Sequence, residues 1–325
     1  MCTIRKPLQF AAAVMLFVTA LSVSGSPALA WPERTVKFII PIGPGAGVDI
    51  TARMFGDRLS KKWGQPVVVE NRPGGDAIVA ITAFISAKDD HTLLFGASGA
   101  FTAHPYQHQK MPYDPSALSP IARVTSTLVA IAVPATSTVK TIADLIAKAR
   151  AEPGKLNWAT ATGLNDFLFA GFLKESGLTM VKVPYRDTVS AINDLAEGRI
   201  DVYVAAYAIM RAQAQAGKVR ILAMTNRERA ASAPQIPTVT EAGFPALGFD
   251  GLTGLFGPPT MPKDVRDRIA ADIKATVADP EIVSRLTATG QIIIPGTAAE
   301  FAASIEQQRA QIAAVGKALG IKPAQ

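Results

Sequence analysis

Two hydrophobic patterns alternate along this chain. Short apolar runs bounded by glycine, proline or polar residues predict strands at 36–40, 67–69, 92–95, 128–133, 156–160, 180–183, 200–204, 219–224 and 292–294. Between them, apolar residues recur every three or four positions, as in Thr51, Phe55, Leu59 and Trp63, which predicts helices. Further helices are predicted near 76–87, up to about 175, and from 188 to 197, and Thr141-x-x-Asp144 is the start of another in capping-box form. Gly198 and Gly217 stand where helix C-caps are expected. The alternation predicts an α/β fold, with mainly parallel sheets flanked by helices.

The rhythm breaks twice. Prolines crowd 105–120 before the apolar run 128–133, and Pro234, Pro237, Pro245, Pro258, Pro259 and Pro262 mark a turn-rich return. This organisation predicts two lobes joined by two crossovers. Residues 31–130 plus 255–325 form the first, and 131–254 the second. No internal repeat or low-complexity segment stands out.

The N-terminus predicts export. Arg5 and Lys6 precede an apolar stretch from Phe10 to Val23, and Ala28-Leu29-Ala30 has the small-x-small form of a cleavage site, so 1–30 reads as a signal peptide cleaved after Ala30. A membrane anchor is the competing reading, but about 14 apolar residues fall short of the ~20 that span a bilayer. Cleavage removes Cys2, the one cysteine, and with it any disulfide or thiolate nucleophile. The core alone must then hold the fold, and 49% hydrophobic content in a chain of 325 residues is enough for that. Net charge falls from +7 to +5 when Arg5 and Lys6 leave, with no basic run longer than Lys61-Lys62. That argues against a nucleic-acid or membrane-surface partner and leaves a small acidic ligand compatible.

Ligands of open α/β sheets bind beyond the carboxyl ends of strands. The loops in that position are 43–49, 96–101, 160–166 and 205–207, with 73–75 and 185–186 beside them. Gly43, Pro44, Gly45, Ala46 and Gly47 form the least ambiguous, because glycines before a helix let backbone amides approach an anion closely. A tight turn with no ligand role is the other reading. Asp49 reads as a helix cap orienting the loop or as a ligand contact.

Catalytic motifs fail on spacing. The 43–48 stretch lacks the last glycine of a dinucleotide fingerprint, and no phosphate loop is present. Gly96-Ala-Ser98-Gly99-Ala100 lacks the closing glycine of a nucleophile elbow, which leaves Ser98 as a hydroxyl donor to a ligand. His104 and His108 are a weak metal pair in a Pro/Tyr/Gln-rich segment. Without a good base, a partnered nucleophile or a metal-ligand cluster, hydrolase and metalloenzyme readings have little support, and no cofactor or metal is expected.

Five stretches, in order over nearly all of the chain from Trp31, carry a family resemblance. They are Trp31-Pro32 through Pro41 with Gly45-x-Gly47-x-Asp49-x-x-Ala-Arg53, Val68-Val-Glu70-Asn71-Arg72-Pro73-Gly74, Ala149-x-x-x-Pro153-Gly154-Lys155-Leu156-Asn157, Val183-Pro184-Tyr185-Arg186, and Pro237-Thr238-Val239-x-Glu241-Ala242-Gly243. The chain resembles the Bug receptors, the solute receptors of tripartite tricarboxylate transporters. The resemblance implies a periplasmic, Venus-flytrap fold of type II without catalysis. It also implies that loops 43–49 and 160–166 grip a carboxylate from opposite lobes, and that membrane permease subunits are transient partners of a monomer. An exported enzyme on the same scaffold is the alternative.

The candidate ligand-binding residues are therefore Gly43, Pro44, Gly45, Ala46, Gly47, Asp49, Gly74, Ser98, Thr160, Thr162, Asn165, Tyr185, Arg186 and Tyr207. Arg186 suits a bidentate contact with a carboxylate, and Tyr185 and Tyr207 suit walls stacked on a planar acid. The chain departs from the family pattern at Asp76, Asp166 and Asp187. Either they face the cleft, where they disfavour a highly charged anion or else recognise an amine or hydroxyl on the ligand, or Asp76 and Asp166 are helix caps and Asp187 a solvated turn residue.

Overall fold

A computed structural model describes residues 31–160, 163–185 and 188–324. The predicted signal peptide, its cleavage site, Cys2, Thr162, Arg186 and Asp187 lie outside the described residues.

Eleven strands among the described residues form two sheets. They are β1 (Val36–Ile40), β2 (Val67–Asn71), β3 (Thr92–Ala97), β4 (Ser119–Thr127), β5 (Val129–Pro134), β6 (Asn157–Thr160), β7 (Val181–Lys182), β8 (Val202–Ala206), β9 (Val219–Met224), β10 (Gly251–Gly257) and β11 (Gln291–Gly296). The first sheet has the order β11-β4-β10-β3-β1-β2 and the second β7-β6-β8-β5-β9.

Helices cover both faces of each sheet, which is why the strands read as nearly continuous apolar runs. In the first lobe, α1 (Gly47–Trp63), α8 (Lys263–Thr276) and α9 (Pro280–Ala288) pack with Phe38, Phe55 and Phe95. On the other face, α2 (Ile78–Ala87), α3 (Gly99–Gln107) and α10 (Ala298–Leu319) pack with Ile39, Leu94, Phe256 and Phe301. Phe38 and Ile39 thus enter opposite cores, as the two-residue period of a strand requires. The second lobe repeats the arrangement. Val129, Ile131 and Val133 face α4 (Ile142–Ala151) and α5 (Gly163–Glu175), while Ala130, Ala132 and Tyr203 face α6 (Thr188–Ala196) and α7 (Tyr207–Gln215).

The two-lobed α/β architecture is present, with one refinement. Both sheets are mixed: β1/β2, β1/β3, β6/β7 and β6/β8 are parallel, and the remaining pairs are antiparallel. Two strands escape the hydrophobic pattern. β4 opens on Ser-Pro and reads Arg-Val-Thr-Ser-Thr, and β10 is glycine-rich, yet both lie centrally in the first sheet. The chain leaves that sheet at Thr127, enters the second at Val129 and returns by Gly251, so 251–254 pair in the first sheet four residues earlier than expected. A strand whose partners bury it on both sides needs little apolar periodicity of its own.

A fifth cluster joins the lobes. Ala103 of α3, Leu164 and Phe167 of α5, Phe249, and Ile312 and Val315 of α10 pack together. A Cβ on Gly171 would stand 2.3 Å from Val315 Cγ1, so α5 and α10 approach at glycine distance.

Candidate ligand-binding site

Strands β1, β3, β6 and β8 are each followed by a helix, and those four helices, two from each lobe, begin at 47, 99, 163 and 207. The N-caps of α1, α3 and α7, which are Ala46, Ser98 and Ala206, make no side-chain cap hydrogen bond. First-turn amides without a side-chain partner, at the positive ends of helix dipoles, attract anions. The ends meet across the lobes. A Cβ on Gly99 would fall 2.2 Å from Leu164 Cδ2, one on Gly290 3.3 Å from Ala208 Cβ, and one on Gly163 2.6 Å from Asp76 Oδ2.

The first loop is built around Asp49, in the first turn of α1 and only 3% exposed. Its carboxylate accepts the Gly45 amide at 2.8 Å, Arg53 Nε at 3.0 Å and Asn71 Nδ2 at 2.9 Å. Arg53 Nη2 in turn donates to Asn71 Oδ1 at 2.8 Å, and Asn71 Nδ2 also reaches the Ile42 carbonyl at 2.9 Å. Burial pushes the Asp49 carboxyl up, but these donors outweigh it and hold it below the ordinary carboxylate value. Asp49 is therefore a loop organiser. Gly43 and Gly45 have nothing within 4 Å of a would-be Cβ, and Gly45 has φ +85°, so backbone faces open space. Pro44 and Gly45 are exposed, and Gly47 abuts Gln291 Nε2.

The other expected residues divide. Thr160 ends β6 beside Val204, at the mouth of the second lobe. Gly74 is exposed at φ 124°. Ser98, by contrast, is fully buried, and its hydroxyl donates to Gln308 Oε1 at 2.8 Å. Asn165 is 7% exposed and lines a cavity of about 20 Å³ inside the second lobe with Ile131 and Phe169. The Tyr185 hydroxyl donates to Asp194 Oδ2 at 2.6 Å, and burial followed by that hydrogen bond raises it to about 12. Tyr207 is 8% exposed and packs in the second lobe's core, with its amide on the Leu128 carbonyl at 2.8 Å. These four are engaged within the fold.

Of the unusual aspartates, Asp166 pairs with Lys182 Nζ at 2.6 Å. Asp76 reaches across to the N-terminus of α5. His104 uses both ring nitrogens, Nε2 on the Asp76 carbonyl at 2.9 Å and Nδ1 with the Tyr113 hydroxyl at 2.6 Å, so no lone pair remains for the metal pair with His108. A carbonyl only accepts, so Nε2 carries the proton and Tyr113 donates to Nδ1. Burial first, and the Asp76 charge second, push the Tyr113 phenol up. Asp89, Asp90 and His91 also cluster, but Arg34, Thr92, the Glu33 amide and the Asp90–His91 hydrogen bond engage them.

Gln107 and Tyr113 were not visible as site residues in the sequence, since nothing in their spacing links them to 76 or 163. A separate cavity of about 230 Å³ runs along α10 between Arg123, Arg227, Gln307 and Gln311, and none of the expected residues lines it.

Residues 51–321 match the tripartite tricarboxylate transporter family receptor. A UPF0065 protein of Bordetella bronchiseptica is 31% identical over 306 residues, which cover 94% of this chain and 91% of that protein. Among solved structures, an R. palustris protein with adipate is 26% identical at TM-score 0.79, covering 90% of this chain and 99% of that one. The periplasmic binding protein BugD is 25% identical at TM-score 0.75, with the same coverage.

Proposed function

The chain belongs to the tripartite tricarboxylate transporter receptor family, and from that premise we propose that it captures a small carboxylate-bearing solute between its lobes for delivery to the membrane subunits of such a transporter. The reading rests on one observation above the others. The N-termini of α3 and α5 meet across the lobes, that of α7 lies against Gly290 of the first lobe, and the open backbone at Gly43 and Gly45 precedes α1. A carboxylate placed there gains charge-assisted hydrogen bonds from main-chain amides of both lobes.

The first jaw is Gly43, Pro44, Gly45, Ala46 and Gly47, shaped from behind by Asp49. The second is the loop that begins at Thr160 and leads into α5. Adipate in the R. palustris relative supports a small carboxylate as the ligand class. Closure then follows from tighter binding to the closed state than to the open one. Residues 1–30 serve as the export leader, cleaved after Ala30, and the receptor works in the periplasm. It binds without chemistry.

A thermal-shift panel of dicarboxylates, aromatic acids and amino acids tests the reading. A ligand at 100 times its dissociation constant stabilises by ~2.7 kcal/mol. The receptor returns the hit unchanged; chemical conversion of the bound compound would overturn the reading in favour of an enzyme.

A further inference from the structure

Loop 74–77 holds an unusual conformation and uses it to deliver a carboxylate across the lobes. Gly74, Gly75, Asp76 and Ala77 have φ of 124°, 56°, 50° and 77° in succession, and the last two are not glycine. Such backbone persists only where neighbours hold it. His104, with no exposed surface, does so by donating Nε2–H to the Asp76 carbonyl, with Tyr113 steadying the other side of the ring.

The held side chain points at the second lobe. Asp76 Oδ2 lies 2.6 Å, and Gln107 Nε2 2.8 Å, from the position a Cβ on Gly163 would take. Gly163 is the first residue of α5. The carboxylate therefore stands against the first residue of α5, on the second lobe's side of the boundary. Gln107 Oε1 is buried without a hydrogen-bond partner, and Asp166, three residues further along α5, pairs through Oδ2 with Lys182 while its Oδ1 has no partner. Among the described residues no lysine or arginine pairs with Asp76, and the nearest ring nitrogen, His104 Nε2 at 3.8 Å, gives its proton to the Asp76 carbonyl. Asp76 thus presents a carboxylate at the start of α5 that no lysine or arginine among the described residues neutralises.

We propose that Asp76 determines specificity, admitting ligands that pair one carboxylate with an ammonium group facing it and discriminating against ligands with a second carboxylate at that end. The proposal rests on the receptor reading above, with the first jaw holding the shared carboxylate. Attraction of the ammonium and repulsion of the carboxylate act on the same contact, so both contribute to the discrimination.

The test uses matched pairs in which an ammonium replaces one carboxylate: succinate with 3-aminopropanoate, glutarate with 4-aminobutanoate, and adipate with 5-aminopentanoate. Titration calorimetry of the wild type is expected to favour the amino member of at least one pair by about tenfold or more, as like-charge exclusion implies. Asp76→Asn removes the charge, and Asp76→Gly removes the side chain at a φ that suits glycine. Both are expected to shift that ratio toward the dicarboxylate by about tenfold or more. An unchanged ratio in both variants would overturn the role of Asp76 while leaving the receptor reading intact. Binding of no member to any of the three proteins would also overturn the proposal, and the wider panel described above then decides the receptor reading separately.

Discussion

The carboxylate of Asp49 accepts the backbone amide of Gly45 at 2.8 Å, four residues back across the start of α1. That contact bends the glycine loop and leaves Gly43 and Gly45 facing open space. It also ties the loop to Arg53 and Asn71, so three separated motif residues form one hydrogen-bonded unit. Asp49→Ala is expected to cost about 2 kcal/mol, because a buried acceptor is lost and its donors are left unpaired. Chemical denaturation checks the loss, and ligand affinity should fall with it. Combined with Asn71→Ala, the effects should be less than additive, since both act on the same unit.

Gly43→Val separates ligand contact from folding. Gly43 lacks the positive φ of Gly45, and a Cβ there meets nothing within 4 Å. The variant should therefore unfold within about 0.5 kcal/mol of wild type, as surface substitutions do. Ligand affinity should nevertheless fall by at least about tenfold, because a side chain blocks the backbone approach. Unchanged affinity, measured by calorimetry, would remove this loop from the site.

Ser98→Ala makes the opposite prediction. Its hydroxyl is buried and donates to Gln308 Oε1, which Thr102 also reaches at 3.1 Å. The variant should lose about 1 kcal/mol of stability, the worth of a typical buried hydrogen bond, with ligand affinity unchanged.

Phe167→Ala tests the seam between the lobes. Phe167 is 5% exposed, packs with Ile312 and Val315 of α10, and lies 5.7 Å from the Tyr106 ring. Truncation should cost about 3 kcal/mol through lost burial and the cavity left behind. Hydrogen exchange in α5 and in the last turns of α10 should accelerate more than exchange in β1 or β8. Uniform acceleration throughout the molecule would show that the seam does not open on its own.

Acid stability carries a specific signature at Asp89. The Arg34 guanidinium, 2.5 Å away, leads the interactions that lower its carboxyl from 3.8 to about 2. A carboxyl depressed in the folded state contributes stability that is fully present above its unfolded value and lost as pH falls through the folded one. The window therefore runs from about pH 4 down to about pH 2, and the contribution is about 2 kcal/mol. Asp89→Asn should remove it, so variant and wild type should converge in thermal stability toward pH 2 and diverge at pH 7.

Much of the architecture is legible in the amino-acid sequence because the strands of both lobes are buried on two faces. The run 36–40 and the helix of Thr51, Phe55 and Leu59 appear where the pattern places them, and the Thr141/Asp144 capping box forms as read. The same reasoning passes over β4 and β10. Their burial comes from neighbours supplied by distant chain, β11 at one side and β3 at the other, and neither strand needs a strong apolar pattern of its own. The first jaw is legible for a related reason: glycines before a helix are a local signal, and the loop's geometry is set within a few residues.

What the sequence by itself determined is therefore local or periodic: strands, helices, the glycine loop, and the family motifs that join them. Which side chains meet was decided only in three dimensions. Ser98 turned to a glutamine 210 residues away, Tyr185 to Asp194 and Asn165 into a core, while Asp76, an ambiguous aspartate in the sequence, came to stand against Gly163. Side-chain direction at a strand end depends on which donor or cavity the opposing element offers. That element is placed by packing over long sequence separation, which no local pattern records.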